Sequence, residues 1–381
     1  MSTNNARTKR IFISDLHMGD ERGLKPGGNL YPYVWLYPPR TDMLADFLQT
    51  ILESADVKEL IILGDLFDQW VCPSDFDPTL YQQVVEASQN LRIIEMLKRI
   101  DAHDEIALYY VLGNHDMLLD KQFMTSLFPN IHFIGPGANY WSRIQVDGIT
   151  AEHGNMFTMF CSPDTWSHPG SRLPLGFFIS RVVAYKNAVT GDGTNFLDIL
   201  AHFISDLFKG PELAKDVFEA IAQDSGLELT SMIRMNNLDS FPPQLTVQQV
   251  SDIYGKLFVT WGKNTPTGLN SLDGVICEMI GLARAAQEVY FQKNLSPIVV
   301  FGHTHKYMLD GYLLEARFPD SISELLPCKY IYANSGTWIN HHPNCTYVET
   351  EIKDGKHYVR LYQYLDSGEK KKLKERFIDV K

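Results

Sequence analysis

The sequence predicts an α/β fold of two packed mixed β-sheets flanked by helices, with an inserted helical cap, and three observations predict it. Short apolar runs alternate with helical stripes through the N-terminal part of the chain. Strand-type runs resume towards the C-terminal end. Between them lies a long stretch whose apolar residues recur at helical spacing.

The N-terminal alternation is explicit in the residues. Ile11 to Ile13, Glu59 to Leu63 and Ile106 to Leu112 are short apolar runs of buried-strand type. Met43, Leu44, Phe47, Leu48 and Ile51 repeat at helical spacing between the first two, as do Val84, Ala87, Leu91, Ile94 and Leu97 before the third. Segments around Tyr140 to Val146, Thr150 to His153, Pro297 to Phe301, Lys329 to Ala333, Thr346 to Ile352 and His357 to Tyr362 read as further strands. Residues 155–295 break this pattern with two amphipathic stripes. One runs through Phe196, Ile199, Leu200, Phe203, Ile204 and Leu207, the other through Val275, Ile276, Met279, Ala283 and Ala286. The expected organisation is a first core part (1–154), a helical insertion (155–295), and a second core part with the C-terminal tail (296–381). The tail's Lys370, Lys371, Lys372, Lys374 and Arg376 read as a solvated segment.

Composition limits the function. With 381 residues, 45% hydrophobic and 21% charged, the chain is that of a soluble globular protein. A net charge of -12 lacks the basic footprint of a nucleic-acid enzyme and leaves small phosphorylated substrates compatible. The five cysteines, Cys72, Cys161, Cys277, Cys328 and Cys345, form no CxxC pair and read as reduced structural thiols. The apolar run after the basic N-terminus is too short for a signal peptide, and no window approaches the ~20 residues of a membrane span. A cytoplasmic protein without a transmembrane segment is expected.

Five short motifs carry the chemistry: Asp15-Leu16-His17, Gly64-Asp65-Leu66-Phe67-Asp68, Gly113-Asn114-His115-Asp116, His153-Gly154 and Gly302-His303-Thr304-His305. The first three and the last directly follow a predicted strand, where α/β sheets gather catalytic groups. Taken singly, such motifs usually mark turns or buried structural histidines. Together they supply the carboxylates and imidazoles of a hydrolytic two-metal site, in which one carboxylate bridges cations roughly 3.5–4 Å apart. Strand alternation would send Asp15 and His17 to one side, and His303 and His305 likewise if locally extended, with Leu16 pointing into the core.

On these motifs the sequence resembles the calcineurin-like metallophosphoesterases, whose pattern is DxH, GDxxD, GNH(D/E), a later His, and GHxH. The resemblance covers residues 10–154 and 297–352, including Asn334-Ser335-Gly336-Thr337-Trp338, which is similar to the segment that commonly follows GHxH. It implies a metal-dependent phosphohydrolase with two divalent cations, Mn favoured and Fe or Zn suiting the same ligands. By that resemblance Asp15, His17, Asp65 and His305 would hold the first cation, and Asp65, Asn114, His153 and His303 the second. His115 would stabilise developing charge or protonate the leaving oxygen, with Asp116 fixing its tautomer. Asp116 and Asp68 read equally well as loop caps. The expected substrate is a small or amphipathic phosphate ester or anhydride, and nucleic acid is not expected. The run Ile62 to Trp70 also resembles the UDP-2,3-diacylglucosamine pyrophosphohydrolases, which usually carry Arg where this chain has His115. A sugar-lipid pyrophosphohydrolase is therefore the alternative, ahead of a nuclease and a non-catalytic binding protein on the same fold.

Since the insertion is tethered between His153 and His303, a cap over the cleft is the natural expectation, with a stabilising bundle or dimer surface as its rival. Its 10 basic against 14 acidic residues make no polyanion groove. Tyr31, Tyr33, Trp35 and Tyr37 read either as a stacking surface for substrate or as cover for a sheet edge. His341 and His342 read as surface residues or phosphate contacts.

Overall fold

A computed structural model describes residues 7–23, 33, 35–191, 210–238, 240–313, 316–317 and 326–380. Its first sheet contains β1 (Lys9–Ile13), β2 (Val57–Leu63), β3 (Ala107–Val111), β4 (His132–Ile134), β13 (Cys345–Lys353), β14 (Lys356–Tyr364) and β15 (Lys370–Asp379). The order is β15-β14-β13-β1-β2-β3-β4, with β1 to β4 parallel and the C-terminal strands antiparallel. The second sheet, in the order β11-β10-β12-β9-β6-β5, comprises β5 (Ile144–Val146), β6 (Ile149–Ala151), β9 (Ile298–Phe301), β10 (Met308–Leu313), β11 (Ala316–Arg317) and β12 (Tyr330–Asn334). Within it β6, β9 and β12 run parallel.

Side-chain alternation builds the layers. Phe12, Ile61, Leu63 and Val111 face inward and meet Ile149, Ala151, Ile298, Val300, Ile331 and Ala333 of the second sheet. Ile11, Ile13, Leu60 and Ile62 face outward onto α1 (Arg40–Leu52) and α3 (Leu91–Asp101), with Met124 of α4 (Lys121–Leu127) in the same core. The second sheet's outer face, Val299, Phe301, Tyr312, Tyr330 and Tyr332, shares one core with described residues of 155–295. That part of the chain carries α5 (Leu175–Thr190), α6 (Leu213–Asp224), α7 (Val247–Tyr254), α8 (Leu257–Asn264), α9 (Ser271–Ile280) and the ribbon of β7 (Met232–Arg234) and β8 (Gln244–Thr246). After α9, Gly281 (φ 105) breaks the helix, and a π turn at Ala286–Phe291 brings Phe291 against Tyr330, ring centroids 4.8 Å apart.

Several local expectations change. The stripe Val84 to Leu97 is two helices, α2 (Tyr81–Glu86) and α3, because the Asn90 side chain donates to Val84 O and Gly19 O, each at 2.8 Å, and pins the break. The strand expected at Tyr140 to Val146 starts only at Ile144. Asn139 (φ 57) and Tyr140 (φ 60) sit in a left-handed turn before it. Lys370 to Arg376 is not a solvated tail but the edge strand β15, where Lys370, Lys371 and Lys372 are exposed and Arg376 is buried. Exposed lysines on an outer strand discourage pairing with a further chain. The stripe Phe196 to Leu207 lies outside the described residues. The five cysteines are buried and unpaired. Among the described residues no helix is long and apolar enough to cross a membrane.

Candidate active site

The loops after β1, β2, β3, β6, β9 and β12 meet at one rim, where backbone hydrogen bonds stitch them together. Leu16 and His17 N–H donate to Asp65 O at 2.9 and 2.8 Å, Gly302 N–H to His153 O at 2.9 Å, and Trp338 N–H to Asp15 O at 3.3 Å. Asn334 Nδ2 donates to Gly302 O at 2.6 Å and Thr337 Oγ1 to Asp15 O at 2.7 Å, so the segment after β12 ties the first and last motifs together.

Strand alternation is not what aims the side chains. β1 ends at Ile13, and Asp15 (φ 53), His17 (φ 47), Asp65 (φ 53), His303 (φ 70) and His305 (φ 57) all adopt left-handed backbone. Each such residue costs about 1–3 kcal/mol, strain that persists only where surrounding structure enforces it. The expectation that Leu16 enters the core does hold, since it is fully buried.

Two donor sets share Asp65. In the first, His17 Nε2 lies 3.0 Å from His305 Nε2, 3.6 Å from Asp65 Oδ2 and 4.0 Å from Asp15 Oδ1. His305 Nε2 is 3.4 Å from Asp15 Oδ1. Asp68 Oδ2 takes the Nδ1 hydrogen of His17 at 3.0 Å, so the Nε2 lone pair faces His305. In the second set, His153 Nε2 is 3.2 Å from Asp65 Oδ2 and 2.9 Å from Asn114 Oδ1, and His303 Nδ1 is 3.0 Å from Asn114 Oδ1. His153 gives its Nδ1 hydrogen to Leu63 O at 2.7 Å, which again turns a lone pair towards the centre. The seven residues expected as metal ligands therefore come together.

Lone pairs facing lone pairs repel unless a cation lies between them. Asp15, Asp65 and Asp68 are all buried, and among the described residues their ion-pair partners are histidines alone. Buried carboxylates demand compensation, and this donor set fits divalent cations. The field has the same sign. Burial would depress His153, yet Asp65, and more weakly Asp15, raise it to about 10. Burial, with charge on His153, pushes His303 down to about 3 and keeps it neutral.

His115 is held differently from expectation. Its Nδ1 meets Asp68 Oδ1 at 2.8 Å, and Trp70 stacks on its ring with centroids 4.7 Å apart. Burial opposes protonation of His115, but Asp68 and Asp65 raise its pKa above the ordinary imidazole value. Asp116 does not fix its tautomer. The Asp116 carboxylate accepts from Gly113 N–H and Leu66 N–H, each at 2.9 Å, and from the Tyr110 hydroxyl. It supports the loops from beneath.

These motifs, in this order and on this fold, decide the family, because residues 8–307 match the profile of the calcineurin-like phosphoesterases. The chain belongs to that family. UDP-2,3-diacylglucosamine hydrolase of Histophilus somni (strain 2336) is 28% identical over 121 residues, 31% of this chain and 38% of that protein. The enzyme of the same name from Tolumonas auensis is 31% identical over 114 residues, 30% of this chain and 35% of that protein. The chain thus spans well under half the length of these relatives. Among solved structures, vacuolar protein sorting 29 from Cryptosporidium parvum aligns with 98% of this chain and 100% of its own, at 10% identity and a TM-score of 0.34.

Within this phosphoesterase, Asp68 does more than cap a loop. It accepts from Trp70 and Val71 N–H, each at 2.9 Å, while orienting both His17 and His115. Its place in the second motif was the only signal. Trp70 closes the run that resembles the sugar-lipid pyrophosphohydrolases, whereas Thr158, which meets His303 Nε2 at 3.1 Å, carried no signal. Tyr33, Trp35 and Tyr37 are buried against Ala184 of α5, so they join the insertion to the core rather than offer a stacking surface. Tyr31 lies outside the described residues. His341 is exposed, and His342 is half-buried with its ring edge towards Tyr307, centroids 6.4 Å apart.

Proposed function

We propose that the protein is a dinuclear metal-dependent phosphohydrolase acting on a phosphate ester or anhydride of a small or amphipathic substrate. The observation that carries this reading is the convergence of two donor sets on Asp65 Oδ2, 3.6 Å from His17 Nε2 and 3.2 Å from His153 Nε2. Asp15, His17, Asp65 and His305 would hold one cation, and Asp65, Asn114, His153 and His303 the other. Mn is favoured, and Fe or Zn suits the same ligands. When bound, the cations supply Lewis-acid polarisation of the phosphoryl group and lower the pKa of water.

The chain's own residues do the rest. Asp68 orients His17 for binding and His115 for proton transfer. With Nδ1 on Asp68 and one ring face on Trp70, His115 keeps Nε2 free to donate to the leaving oxygen, the role of a general acid. The insertion, which leaves the core after His153 and returns before His303, acts as the cap that selects substrate.

The names of the relatives favour one specific substrate, a UDP-diacylglucosamine-type anhydride. A Mn-supplemented screen over p-nitrophenyl phosphate, its bis-ester, nucleotides, UDP-2,3-diacylglucosamine and single-stranded DNA tests both levels. Hydrolysis of a phosphate ester or anhydride that stops with chelator supports the reading, and the preferred compound names the class. A panel inert under Mn, Fe and Zn would contradict it.

A further inference from the structure

Thr158 belongs to the insertion, yet it touches the metal-binding rim. It follows the short turn Asn155–Phe157, four residues beyond Gly154. Its Oγ1 donates to Asn155 O at 2.9 Å and lies 3.1 Å from His303 Nε2. A hydroxyl has one hydrogen to give. Asn155 O takes it, which leaves the oxygen's lone pair for His303. His303 Nε2 therefore carries the ring hydrogen, and the Nδ1 lone pair points at the second donor set, 3.0 Å from Asn114 Oδ1.

Glu278 locks this arrangement from α9. It accepts from Phe160 N–H at 3.3 Å and from Cys161 Sγ at 3.0 Å, so one buried carboxylate pins the loop after His153 to α9. The chain beyond α9 closes the same spot, because Leu282 packs onto Gly154 where a Cβ would collide with it. Gly154 also needs its φ of 110, a conformation in which a side chain is strained.

We propose that Thr158, in the loop that Glu278 holds, is a positioning residue for His303, through which the insertion sets the affinity of the second divalent cation. This rests on the two-cation reading above. Groups that orient a metal-ligating histidine typically change metal affinity by about 10–100-fold when removed. The inserted segment is then part of the metal centre and not only a cover for it.

The test is calorimetric titration of chelator-stripped, full-length protein with Mn²⁺, which reads binding without turnover. Wild type should take up two ions. Thr158→Val, equal in shape but without the oxygen, should weaken one site by about 10–100-fold and leave the other within about twofold. Thr158→Ser should restore wild-type binding. Glu278→Gln should weaken the same site less, and the double variant should be no worse than Thr158→Val alone, because both act through one imidazole. Should Thr158→Val not fold, Thr158→Ala reads the same contact. Two ions bound at wild-type affinity by the Thr158 variants, or a serine variant as impaired as the valine one, would overturn the proposal while leaving the two-cation reading intact. A wild type that binds only one ion would overturn both.

Discussion

At the scale of single residues, the site is a problem of aiming lone pairs. The residue types were legible in the sequence, because five clusters of Asp, Asn and His, four of them at strand ends, are together hard to explain as packing. What aims them was not. Left-handed backbone at Asp15, His17, Asp65, His303 and His305 is enforced by hydrogen bonds between loops distant in sequence. The partner of His115 was misread for a related reason, since adjacency suggests Asp116 whereas the fold supplies Asp68. The roles separate by mutation. His115→Ala should keep metal and lower kcat by about a hundredfold, the scale of general acid help. Asp68→Asn should lower kcat and also weaken metal by about tenfold or more, since it orients His17 as well. Asp116→Asn should chiefly lower the melting temperature. Kinetics beside metal titration and thermal melts check all three, and an Asp116→Asn variant with native stability and the His115→Ala defect would restore the adjacency reading.

At the scale of elements, apolar runs found β1, β2, β3, β9 and β12 and missed β4, β10, β11 and β15. β15 carries lysines on its exposed positions, so its sequence reads as a solvated tail although it pairs along β14. Neighbouring β14 holds His357, buried with Nε2 unpartnered. Burial, with the charges of Arg10 and Lys58, lowers its pKa to about 4, although Asp147 pulls the other way. A base depressed in the folded state binds its proton more tightly when unfolded, so its contribution is full above the ordinary imidazole pKa of about 6.5 and is lost as pH falls towards about 4. Thermal melts should show it. Between about pH 7 and about pH 4.5, His357→Gln should lose at least about 2 °C less in Tm than wild type. Equal losses in the two proteins would clear His357 of that role.

At the scale of the whole molecule, the sequence reads as carrying an inserted segment because the interval between His153 and His303 is so long. It did not show that the insertion would share a core with the second sheet, because Val299, Phe301, Tyr312, Tyr330 and Tyr332 read equally well as inward-facing strand residues. Replacing residues 155–295 by a short linker is therefore expected to uncover that face and abolish a cooperative melt, and a linker protein with wild-type Tm would show the two parts to be independent. The central claim is that one buried carboxylate, Asp65, serves two cations, and metal stoichiometry tests it most directly. Reconstituted wild-type protein should hold two divalent ions per chain at saturation, and Asp65→Asn should fall below two. Saturation at one ion, unchanged by Asp65→Asn, would contradict the account.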